Sequence, residues 1–491
     1  MPEIRTLLNQ SSHYLAGRIV IMAAGFISFP ILTRIFSVGE YGILGLITTT
    51  IFIAVAIGKF GFPNSIVRFY QDFKSRKSLS SFYSTMVLSS AGIAAIIAIL
   101  FGVVATLIPT RFIGVGSIGL LYLVSVLIFI GCIIDILTSF LRAEQITKLY
   151  NFIAVIHRYG SLSLSIFIVF LIIKGLYGFY IGHVISGIML LTFLIYYFSK
   201  KWRVSAKGFS KEILADSIKF GLPLVWAELG HLVLNYADRY MVQLFLGSIP
   251  LGLYTAGYNL ATYVAEVIIY PINYAMTPIY MDILVNKGEE ETREFFTKLF
   301  TYFVLIISPV VFGFIAVGRD LLMVLASSKY IEAYTVLPYV VIGQSIYACS
   351  IILNSGLFIR KKTHLMTIIM IGACFLNVGI NIVLIPRFGI IGAAQATLIS
   401  YIFYTVIITY YAFKEFRFRI DFAHILLYLA IGSVMYLVIN MVDGKSPLNN
   451  LITKIPAGAI IYTVLILVLD KDIRDAIFKK HAWKGKWLNR S

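Results

Sequence analysis

Four residues within one apolar stretch could do chemistry together: Glu228, His231, Asn235 and Arg239, spaced by 3, 4 and 4 positions. On a helix they share one face, with Leu232 as the other position in register with His231. The next apolar stretch carries Thr255, Asn259, Thr262, Glu266, Asn273 and Thr277 in a similar stripe. Two polar stripes on consecutive apolar helices face one watery cavity most economically; polar packing between the helices is the plainer alternative. Ionisable groups at such depth are costly and tend to mark ion or substrate paths. Glu228, His231, Asp238 and Glu266 are therefore candidates for a proton or cation site. Asn235, Asn259 and Asn273 are the expected polar lining. Asp238 and Arg239 are sequence neighbours, about 100° apart around a helix, so each is expected to find its partner elsewhere.

The first half of the chain differs in sign. Its apolar stretches hold Arg18, Arg34, Lys59, Arg68 and Arg158, and Asp135 is their sole acid before Glu144. Arg18 and Arg68 lie near stretch ends, where they either snorkel to the interface or line a cavity. Lys59 and Arg158 lie deeper and are expected in a cavity or a buried ion pair. His183, alone in an apolar run, reads as a packing residue. The three cysteines also lie in apolar runs, which argues against disulfides and against a thiolate metal site. No metalloprotease, Walker or nucleophile-elbow motif occurs, so no metal or other cofactor is expected.

The elements that must position these residues are membrane helices. Hydrophobic residues make up 59% of the 491-residue chain, and the mean hydropathy is +0.89. Only a bilayer can solvate that much apolar surface. Fourteen runs qualify, near 13–35, 41–70, 82–108, 117–141, 150–173, 176–198, 218–246, 251–281, 296–317, 334–358, 364–385, 389–413, 421–441 and 449–469. The first shows no cleavage site and reads as a retained span. With a cytoplasmic N-terminus, the inner segments hold 27 Lys and Arg against 6 in the outer ones. The positive-inside rule then makes both termini cytoplasmic. A net charge of +18 spread over every inner segment excludes nucleic-acid binding as its explanation. The tail KKHAWKGKWLNRS is expected to rest against anionic headgroups.

The halves repeat. LTRIFSVGEYGILGL (32–46) returns as VQLFLGSIPLGLYTAGYNL (242–260), with Gly42 and Gly252 separated by 210, as are Tyr70 and Tyr280. GLYGFYIGHVIS (175–186) matches GIIGAAQATLIS (389–400) at an offset of 214, and Thr147 and Thr363 differ by 216. The drift indicates a duplicated six-helix unit with both copies entering from one side. The expected fold is an all-α polytopic membrane protein: two pseudo-symmetric six-helix lobes around a central cavity, plus two C-terminal helices. The boundaries would be 1–198, a linker 199–217, 218–413, extra helices within 414–469, and a basic tail 470–491. Arg34 and Glu40 read as interfacial anchors or as gate residues.

ILTRIFSVGEYGILGL, GFPNSIVRFY and YADRYMVQLFLGSIPLGLYTAGYNLA together resemble the signatures of Wzx-type O-antigen and polysaccharide flippases. These belong to the multidrug/oligosaccharidyl-lipid/polysaccharide exporter superfamily. The resemblance implies a cytoplasmic-membrane flippase, without enzymatic activity, that moves isoprenoid-pyrophosphate-linked oligosaccharide by alternating access. Membrane lipids would be its surroundings, H+ or Na+ its coupling ion, and a monomer its working form. A pyrophosphate needs fixed positive charge, and Arg18, Lys59, Arg68, Arg158 and Arg239 are the candidates to supply it. A drug or cation antiporter of the same fold is one alternative, although it would be expected to stop at twelve spans. A membrane-embedded glycan polymerase or ligase is another, disfavoured by the short outer segments.

Overall fold

The computed structural model describes residues 20–107, 118–442, 444 and 446–478, with the side chains of 264–271, 273–275 and 476–478 outside the description. Every regular element among these residues is helical. In chain order the α-helices of more than five residues are α1 Val20–Ile35, α2 Val38–Gly58, α3 Phe62–Ser75, α4 Leu79–Leu107, α5 Ile118–Ala143, α6 Thr147–Leu171, α7 Gly175–Ser199 and α8 Lys211–Leu246. There follow α9 Ser248–Lys287, α10 Glu289–Leu325, α11 Leu337–Leu353, α12 Thr363–Glu415, α13 Phe422–Asn440, α14 Pro447–Leu469 and α15 Lys471–Phe478. All fourteen expected runs carry helix. Eleven helices among the described residues are long and apolar enough to cross a membrane. The chain is a multi-pass membrane protein.

The 53-residue α12 accounts for two runs, because Gly389 leaves helical angles at φ 60° and ψ −140°. That bend belongs to the repeat. The start of α7 at Gly175 and the bend at Gly389 both have positive φ. Helix starts at Val38 and Ser248, Leu79 and Glu289, and Thr147 and Thr363 also pair at the sequence offsets.

The chain forms two compact units; the first draws on both halves of the sequence, and the second comes from the second half alone. The first comprises Met1–Asn259 and Thr363–Ser400. One end of it is filled by rings: Phe73 stacks on Phe82 at 4.5 Å, and Tyr83, Phe140, Phe198 and Trp202 interlock beside them. At its other end the two copies of the repeated turn meet. A Cβ at Gly42 would lie 2.6 Å from the Ser248 carbonyl and from the Gly252 nitrogen, and one at Gly252 would strike the Val38 carbonyl. Ser248 and Gly252 are the repeat counterparts of Val38 and Gly42, so the crossing is self-matching. Gly45 likewise faces its own counterpart, Thr255. Only glycine allows helices to approach so closely. Ser37 and Glu40 form a capping box at the start of α2, which gives Glu40 a local task distinct from anchoring or gating.

The second unit comprises Leu260–Lys362 and Tyr401–Ser491. Phe296, Phe303, Ile352, Phe416, Tyr428 and Met435 are among its core residues. The extra helices α13 and α14 pack on α10. Ser308 donates to the Tyr428 carbonyl at 2.8 Å, and the Tyr462 hydroxyl donates to the Leu305 carbonyl at 2.9 Å. Lys454, buried within α14, lies 3.8 Å from Asp320 of α10. The sequence reading did not single out that pair.

Candidate transport site in the first unit

The site begins where a helix stops. The run 41–70 reads as one span, yet α2 ends at Gly58 and α3 begins at Phe62. Between them Phe60 and Gly61 take left-handed angles, with φ 51° and 74°. Gly61 sits against the Gly221 backbone so closely that any Cβ would collide with it. Gly61 and Pro63 were the available signals, since the pair punctuates a helix more strongly than either does alone. Below the break, the Ser65 hydroxyl donates to the Ser217 carbonyl at 2.7 Å and ties α3 to α8. Discontinuous helices of this kind recur where transporters hold their cargo.

Lys59 is the residue at the break. Its Nζ donates to Glu228 Oε1 of α8 at 2.8 Å and approaches Asp135 Oδ2 of α5 at 3.4 Å. Lys59 is 15% exposed, Glu228 35% and Asp135 46%. The triad therefore carries one positive and two negative charges, with both carboxylates partly open. Hydrocarbon cannot solvate them, so they face a wet interior. The helix geometry of α5 agrees. Val126 is exposed, and Asp135 follows it by nine residues, half a turn around the helix. The same relation holds on α6 between exposed Arg158 and exposed Phe167. The Arg158 side chain has no hydrogen-bond or ion-pair partner among the described residues.

Above the triad, the α8 stripe is a linked chain. Asn235 Nδ2 donates to the His231 carbonyl at 2.7 Å and lies 3.2 Å from His231 Nδ1. Arg239 donates to the Asn235 carbonyl at 2.9 Å. Its guanidinium lies between the rings of Tyr236 and Tyr258, at 4.7 and 4.6 Å. One expectation is corrected here. Asp238 and Arg239 do pair, at 3.6 Å, and both are almost fully buried. The 100° between their Cα atoms is offset by the reach of the arginine, and burial leaves each charge needing the other. Asp238 Oδ2 also accepts from the hydroxyls of Tyr254 and Thr397.

The remaining candidates scatter. Arg68 is exposed on α3, 3.4 Å from Asp72. Asn259 Nδ2 donates to the Tyr41 hydroxyl at 3.2 Å. Arg18 lies outside the described residues, as do the side chains of Glu266 and Asn273. His183 packs as expected, bound to Ser165 Oγ at 2.7 Å. Sequence reasoning missed Asp135 as a site member, although a lone acid among basic residues was the cue. It also missed Asn377 and Asn381, buried at i and i+4 on α12 and hydrogen-bonded to each other at 3.0 Å.

Residues 7–284 match the family model of the polysaccharide biosynthesis proteins. The chain belongs to that family. Among curated relatives, an uncharacterized membrane protein of Methanocaldococcus jannaschii is 24% identical over 298 residues, covering 58% of this chain and 56% of that protein. A probable low-salt glycan biosynthesis flippase of Haloferax volcanii is 21% identical over 259 residues, covering 52% and 54%. The chain thus spans just over half the length of the curated relatives it matches. Among solved structures, the lipid II flippase MurJ in an inward closed conformation superposes with a TM-score of 0.78 at 17% identity, covering 96% of this chain and 100% of that one. An inward-facing multidrug resistance MATE family transporter gives 0.61 at 16% identity, covering 82% and 93%. This polysaccharide biosynthesis family member shares their fold.

Proposed function

We propose that the protein flips an isoprenoid-pyrophosphate-linked oligosaccharide across the cytoplasmic membrane by alternating access, for surface polysaccharide assembly. The observation that carries this reading is the partly open Lys59–Asp135–Glu228 triad at a helix break within an apolar bundle. Such a group needs a wet interior, and moving a polar headgroup through a bilayer needs the same. Family membership and the Haloferax relative support a glycan-linked cargo.

Arg158 is the natural phosphate anchor, being exposed and uncommitted, with Arg18 and Arg68 toward the loading side. Lys59 can reach a phosphate only by leaving Glu228, and Arg239 only by leaving Asp238. The coupling-ion candidates are Glu228, His231, Asp238 and Glu266, with H+ or Na+ as the ion. The decisive assay supplies the chain to cells lacking their own glycan flippase and measures glycan reaching the surface. Restored surface glycan is expected. Drug efflux with no glycan export for any lipid-linked donor would favour the antiporter alternative, for which the MATE likeness is the supporting observation.

The 27-to-6 loop charge bias supports cytoplasmic termini. A periplasm-active reporter fused after Ser491 should be silent, and one inserted in DGKSPLNN (443–450) should be active. The reverse pattern would overturn the orientation.

A further inference from the structure

We propose that the α2–α8 face running from Lys59 to Tyr240 binds an uncharged pyranose unit of the cargo and disfavours its anionic groups. The inference rests on the flippase reading and assigns one part of the cargo to one part of the protein. Lys59 is already matched by Glu228 at 2.8 Å and Asp135 at 3.4 Å, so the triad carries an excess negative charge. A phosphate or uronate brought there meets the repulsion of that net negative charge. A sugar hydroxyl meets carboxylate oxygens with spare lone pairs, and hydrogen bonds to ionised acceptors are the stronger kind.

Aromatic surface lies within reach. Phe52 precedes Lys59 by seven residues, two turns along the same face and roughly 10 Å away. It is 48% exposed, and its ring lies 6.3 Å from that of Tyr236. Tyr240 is also exposed, with its hydroxyl held by Thr50 Oγ1 at 2.7 Å. A flat ring beside carboxylates suits a pyranose, whose C–H face buries apolar area while its rim donates hydrogen bonds. Arg239 does not reverse the sign of the strip, because Asp238 neutralises it in the interior.

The test uses saturation-transfer NMR on the full chain in nanodiscs, with maltotriose as the neutral probe and trigalacturonate as the acidic one. Maltotriose ring protons should receive saturation, and trigalacturonate signals should be roughly tenfold weaker. Phe52→Leu keeps an apolar side chain and removes the flat face, and it should cut the maltotriose signal several-fold. Asp135→Asn combined with Glu228→Gln should narrow the gap between the two sugars. No signal from either sugar, equal signals in the parent protein, or an unchanged signal in Phe52→Leu would each overturn the assignment. If these signals behave as expected while no lipid-linked glycan is moved, the flippase reading fails and the sugar strip stands.

Discussion

Cysteines placed at Gly39 and Ser248 should join under mild oxidation and halt transport, with recovery on reduction. A Cβ at Gly39 would lie 3.6 Å from Ser248 Cβ, within the spacing of about 3.5–4.5 Å that disulfides adopt. Background is low, because Cys132 and Cys374 are buried and Cys349 lies partly so. On the proposed alternating-access route, with these turns on the outer side, the starts of α2 and α9 have to part when the cargo leaves, and a covalent link between them would forbid that. Transport should fall at least roughly tenfold, as expected when a required step is blocked. The measurement is glycan export with and without reductant, alongside a gel assay for the crosslink made after cleavage between the two positions. Full crosslinking with undiminished export would show that this crossing never opens.

The second large effect is expected from Lys59→Met. The variant keeps the aliphatic length and removes the charge, leaving Asp135 and Glu228 facing each other without a cation. Stranding a fully buried charge costs about 3–5 kcal/mol. These carboxylates are 46% and 35% exposed, so solvent should reduce the loss to about 1–2 kcal/mol. The protein should still insert, with a lower unfolding midpoint and most of its transport gone. Adding Glu228→Gln should recover the midpoint, since one carboxylate alone is tolerable where two are not. Arg68→Ala should barely move the midpoint, because that side chain is exposed; the double variant with Lys59→Ala should lose most transport. Parent-like transport and stability in Lys59→Met would remove the triad from the mechanism.

Much of the fold was legible because apolar length is a one-dimensional signal. Fourteen runs and a drifting repeat needed no knowledge of contacts, and the helix starts at Thr147 and Thr363 fell at the predicted offset. The break at Lys59 was not read, since the run 41–70 stays apolar on average across it while the backbone leaves the helix. Pairing was the weakest point. Helical phase placed Asp238 and Arg239 apart, but phase describes Cα positions, and an arginine head moves several ångströms from its own. Glu228 was found by stripe spacing, whereas its partner Lys59 is 169 residues away in sequence. No local pattern encodes that distance.

The crossing of α2 and α9 has a consequence for control. Gly42 and Gly252 meet through main-chain atoms alone. A contact of that kind offers no charge for salt to screen and no group for acid to titrate. Ionic strength and pH therefore have no direct handle on the glycine contact itself, although Glu40 sits close by, tied to Ser37 at the start of α2. A chemical trigger for opening it has to act on neighbouring groups and reach the glycines as mechanical displacement.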